Sequence, residues 1–102
     1  MATVEEIQAR LSVGVSEEVL ALLQESCSSC AATAAEVTIH CCRHAKLETD
    51  ICVFVIRQER VPAGGSSEGI RIAAGLRHIG SVRHVVWHAV ENPNNLSERR
   101  ES

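Results

Sequence analysis

Ile51-Cys52-Val53-Phe54-Val55-Ile56 is apolar at every position. Six residues make a strand rather than a membrane span, and without polar alternation that strand is buried on both faces. Such a strand needs cover above and below. A chain of 102 residues is a single domain with few elements to provide it. Its helices suffice for one face, so dimerisation through the other is expected.

The flanking segments set the fold class. Val37, Ile39 and Cys41 alternate with Thr38, His40 and Cys42, which predicts a half-buried strand at 36–44. Two strands so close in sequence, 36–44 and 50–58, should form an antiparallel hairpin. Upstream, Thr3-Val4-Glu5-Glu6 matches a capping box, and Val4, Ile7 and Leu11 form a helical stripe interrupted at Gly14. Ser16 can cap a second helix over 16–34, in which Val19, Leu23, Cys27, Cys30 and Ala34 share one face. Downstream, Pro62–Gly69 is loop chemistry. Ser66 or Ser67 caps a helix over 68–79 with Ile72, Leu76 and Ile79 on its buried stripe, and Gly80 stands where a left-handed C-terminal residue belongs. Val82, His84, Val86, His88 and Val90 alternate along a last strand at 82–90.

The expected fold is α+β: two N-terminal helices, a hairpin, a crossover helix and a final strand, forming a small, mainly antiparallel three-stranded sheet. Val37, Ile39, Ile51, Val53, Val55, Ile72, Leu76 and Val86 are the expected core. Residues 1–91 read as one domain and 92–102 as a flexible tail.

Composition excludes several roles. Phe54 and Trp87 are the only aromatic residues, which argues against an aromatic base-stacking platform. The start carries Glu5 and Glu6 without a basic, apolar leader, and five cysteines form no disulfide framework; both point to a reducing cytoplasm. Charge is uneven. Residues 1–56 carry a net −5; residues 57–88, with Arg57, Arg60, Arg71, Arg77 and Arg83 against Glu59 and Glu68, carry +3. Those arginines are candidate nucleic-acid ligands, or simply a solvated surface.

Cys27-Ser-Ser-Cys30 followed by His40-Cys41-Cys42-Arg43-His44 has zinc-like spacing. Cys27 and Cys30 fall on an apolar helix stripe and Cys41 on a strand face, where cysteine acts as a small hydrophobe, so zinc is disfavoured. Gly64-Gly65-Ser66-Ser67-Glu68-Gly69 could turn backbone N–H groups toward an anion, but lacks a P-loop lysine and reads as an exposed crossover. His40 and His44, and His84 and His88, could converge if the first and last strands of this reading were neighbours. No Ser–His–Asp or paired-carboxylate arrangement stands out, which points away from an enzyme.

Over residues 50–93, the apolar strand, the loop of about a dozen residues, the helix Ile70–Ile79 and the strand with Arg83-His84-Val85 resemble the BolA family, within the type II KH-like folds. The resemblance implies a functional histidine at His84, with His44 as a second ligand, holding an iron–sulfur cluster shared with a monothiol glutaredoxin. The resulting expectation is a small non-enzymatic binding or adaptor protein with a glutaredoxin-like partner. The alternatives are a KH-like RNA- or DNA-binding module using the basic half, and a cofactor-free subunit of a larger complex. The GxxG clamp of KH domains is absent.

Overall fold

The computed structural model describes residues 2–12, 16–32 and 36–90. Gly14, Ala34, the side chain of Cys30 and the tail at 92–102 lie outside the described residues. The elements are β1 (Thr3–Leu11), α1 (Glu17–Ala32), β2 (Val37–Arg43), β3 (Asp50–Arg57), α2 (Ser67–Arg77) and β4 (Gly80–His88). They build an α+β fold around a four-stranded sheet of order β2-β3-β1-β4, antiparallel at every pairing.

The N-terminal segment corrects the expected pair of helices and the three-stranded sheet: Thr3–Leu11 is a strand. Its inward side chains are Thr3, Glu5, Ile7, Ala9 and Leu11, while Val4, Glu6, Gln8 and Arg10 face the other way. The period is 2, and the stripe of Val4, Ile7 and Leu11 was a coincidence of spacing. β1 inserts between β3 and β4. Its partners on both sides make β1 parallel to β2 and β3 parallel to β4, each pair split by one strand. Two interleaved βαβ units of this kind constitute the split βαβ arrangement.

The other expected elements are present with slightly shifted ends. Ser16 caps α1 by accepting from Val19 N at 3.2 Å, and Ser66 caps α2 by accepting from Gly69 N at 3.0 Å. Gly80 is not a left-handed terminator; it opens β4. A Cβ there would strike the Arg10 carbonyl and Leu11 Cα, so glycine is required by close strand packing.

Both helices pack on one face of the sheet. The core joins Leu23 and Cys27 of α1 and Ile72, Ala73 and Leu76 of α2 to Ile7, Ala9, Leu11, Ile51, Val53 and Val55. Val37 and Ile39 lean on this core from the edge strand, and Val86 is half-buried. Among the described residues, no helix is long and apolar enough to cross a membrane.

Among the described residues, no element covers the opposite face. Across it run Thr38, His40 and Cys42 (β2), Cys52, Phe54 and Ile56 (β3), Val4, Glu6, Gln8 and Arg10 (β1) and Ser81, Arg83, Val85 and Trp87 (β4). At one end Arg10 and Asp50, register partners, form a two-pronged ion pair with both contacts at 2.9 Å. Hydrogen bonds from Arg10 and Thr49 hold the Asp50 carboxyl down at about 2, from an ordinary 3.8. A carboxyl depressed in the folded state contributes stability above its unfolded value, and that contribution disappears as pH falls through the folded one. Urea midpoints should therefore drop between about pH 4 and pH 2 in the wild type, and drop less over that window in Asp50→Asn.

Candidate functional site

Glu5 is the chain's most unusual placement: a carboxyl side chain with no solvent exposure, on a central strand, pointing toward the helices. It is fully partnered. One oxygen accepts from Ser66 N at 3.0 Å and pairs with His84 Nε2 at 2.8 Å; the other accepts from Ser66 Oγ. Ser66 Oγ in turn accepts from Gly69 N, capping α2. An uncompensated buried carboxyl would cost several kcal/mol, so these donors are what permits Glu5 to sit there.

The loop geometry follows from this group. Gly65 has φ +106°, a conformation open to glycine, and a Cβ there would collide with the His84 ring. A Cβ at Gly69 would overlap the Glu5 carboxyl itself. The Gly-rich loop does present one backbone N–H, that of Ser66, to an anion-type acceptor, and that acceptor is the chain's own Glu5. The loop is accordingly a pinned element rather than a loose crossover. Thr3 Oγ1 donates to Glu59 O at 2.8 Å, and His88 Nε2 meets Val61 O at 2.7 Å. Arg57 and Glu68, 11% and 13% exposed in their side chains, form an ion pair beside it. Shielding from water alone would raise the Glu68 carboxyl, but hydrogen bonding by its own backbone N–H and the pull of Arg57 outweigh it and lower it.

This is not the geometry of a serine hydrolase. The acid lies between Ser66 and His84, so the imidazole does not contact the hydroxyl it would have to activate.

The histidines do not converge across the sheet. β2 and β4 are its opposite edges, about 14 Å apart at ordinary strand spacing. His84 is engaged with Glu5, while His44 caps the turn after β2 by accepting from Lys46 N and Leu47 N at 3.0 Å. The five arginines also separate. Arg57 is paired with Glu59 and Glu68, Arg60 lies near His88, Arg71 and Arg77 are on α2, and Arg83 is on the uncovered face. Among the described residues, no cluster of three metal-ligating side chains occurs. Cys27 and Cys41 do meet, with sulfurs 3.2 Å apart, whereas Cys42 points to the opposite face.

Sequence reasoning missed Glu5. The available signal was the alternation of Ile7, Ala9 and Leu11, which extrapolates back to Glu5 and Thr3 as inward positions. No protein-family model, curated protein or solved structure matches the chain.

The Glu5 group generates a coupled test. Glu5→Ala should destabilise by about 2–4 kcal/mol in urea unfolding, because Ser66 and His84 lose a buried partner. Gly69→Ala should also destabilise the wild type. In the Glu5→Ala background its cost should shrink by at least about 1 kcal/mol, since the new methyl group enters vacated space. Additive costs would show that the two residues do not share that space.

Proposed function

We propose that the chain is a non-catalytic binding protein that works through the uncovered sheet face, and that the occupant of this face is a second copy of the chain. The observation that carries the reading is the double-sided apolar strand β3. Ile51, Val53 and Val55 are covered by the helices; among the described residues, no element lies over Cys52, Phe54 and Ile56. With Val4, Val85 and Trp87 they form an apolar patch at one end of the face, and Trp87 is 58% exposed.

Three features favour a second copy. The face spans four strands of 7 to 9 residues, roughly 500 Å² in projection and about 1,000 Å² for two copies, which meets the lower bound for a biological interface. It carries two acids, Glu6 and Asp50, and two arginines, Arg10 and Arg83, so an identical face brings no net repulsion. A two-fold arrangement can also lay the apolar end of one face on that of the other, as an isologous interface requires.

The nucleic-acid reading gains one point, because Phe54 and Trp87, the chain's two aromatic residues, both lie on this face. It loses more to the balanced charge of the face and the scattered arginines. The iron–sulfur reading would draw its two ligands from opposite edges of the sheet. The non-enzymatic reading is supported by Ser66, whose hydroxyl is committed at once to Glu5 and to Gly69 N.

Sedimentation decides between these. The wild type should run as a dimer at micromolar concentration, and Phe54→Glu should run as a folded monomer with an unchanged far-UV circular dichroism spectrum. A wild type that stays monomeric throughout a broad concentration series overturns the reading. If that monomer binds a pyrimidine oligonucleotide with an affinity abolished by Trp87→Ala, the face belongs to nucleic acid instead.

A further inference from the structure

On the helix side of edge strand β2, Cys27 of α1 and Cys41 face each other with sulfurs 3.2 Å apart. Disulfide sulfurs lie about 2.05 Å apart, so the gap to close is roughly 1.2 Å. The pair is not sealed in the core. Cys27 is 5% exposed and Cys41 half-buried, and both line a cleft of about 460 Å³ with Gln24, Ser28, Ile39 and His40.

We propose that Cys27 and Cys41 form a thiol–disulfide exchange site whose reactants are low-molecular-weight disulfides of the glutathione type. Cys41 is the attacking group. It is the more exposed residue of the two, and hydrogen bonding with the Cys27 thiol draws the Cys41 thiol down to about 7. In the first step the Cys41 thiolate attacks the small disulfide, forming a mixed disulfide and expelling one thiolate, which takes up a proton. In the second, Cys27 gives up its proton and attacks the Cys41 sulfur. The protein disulfide forms and the second small thiolate leaves. Two electrons and two protons pass from the protein to the small disulfide, yielding two small thiols. The product bond ties α1 to the edge of the sheet. This site lies on the face opposite the proposed interface and does not depend on it.

Cys52 supplies an internal reference. Burial and the neighbouring Glu6 push its thiol up to about 11. At neutral pH the thiolate fractions of Cys41 and Cys52 differ by about 5 × 10³; after the lower nucleophilicity of the more acidic thiolate is allowed for, Cys41 should react on the order of 10²-fold faster.

The test uses the full chain, as wild type and as Cys30→Ser/Cys42→Ser, equilibrated in graded reduced and oxidised glutathione, then alkylated. Cleavage after Glu25, Glu36 and Glu48 places Cys27 and Cys41 on separate peptides, 26–36 and 37–48. The expected product in both proteins is a cross-link between these peptides, two hydrogens lighter than their sum, growing as the buffer becomes more oxidising. Adding Cys27→Ser should leave a stable glutathione adduct on Cys41. Thiols that remain reduced in oxidised glutathione alone overturn the proposal. A cross-link that forms only in urea, or a Cys41 that reacts no faster than Cys52, also overturns it.

Discussion

One buried carboxyl group organises the half of the molecule that contains α2. Glu5 lies on β1, which is central in the sheet, and touches the loop before α2, the first turn of α2 and β4. Burial without donors would cost more than a typical single hydrogen bond returns, so the fold tolerates the group only while Ser66 and His84 stay in place. The dependence runs outward from there. Ser66 must cap α2, Gly65 must lack a side chain to clear the His84 ring, and Gly69 must lack one to clear the Glu5 carboxyl. Replacing an apolar residue by a carboxyl at an inward strand position thus fixes the identity of several residues more than 60 positions away.

The same residue explains what was legible in the sequence. The hairpin, α1 and α2 announce themselves by periodicity and caps, because most of their inward positions are apolar or small, and β4 does so through Val82 and Val86, although His84 and His88 share their side. β1 hides because two inward positions, Thr3 and Glu5, are polar and satisfied by partners far along the chain. Removing them from the alternation leaves Val4, Ile7 and Leu11, which mimic a helix. Strand order was not legible either. The insertion of β1 between β3 and β4 depends on contacts between distant segments, and it is this insertion that sends β2 and β4, with their histidines, to opposite edges.

Charge shows how far sequence proximity differs from spatial proximity. Five arginines between 57 and 83 read as one basic region, but the chain between them turns through a strand end, a loop, a helix and a second strand. Each turn redirects the side chains. Arg57 is drawn into a shielded pair with Glu68, and Arg83 emerges on the face the helices leave bare. What survives as a contiguous surface feature is apolar rather than basic, and it was visible from the outset in the unbroken run of Ile51 to Ile56.

The sheet therefore has two chemically different sides, and adjacent residues are divided between them. Cys41 and Cys42 are neighbours on β2, yet pleating sends Cys41 toward α1 and Cys27 while Cys42 faces the open side, opposite Cys52. A sulfur partner draws the Cys41 thiol down to about 7; burial and the adjoining Glu6 carry the Cys52 thiol to about 11. The difference comes from surroundings, since the side chains are identical. On this sheet, reactivity is assigned by face. The helix-covered side can hold a thiol pair in register because α1 presents Cys27 at one helical position, while on the uncovered side Cys52 lies between Cys42 and Gln8 with Glu6 close by.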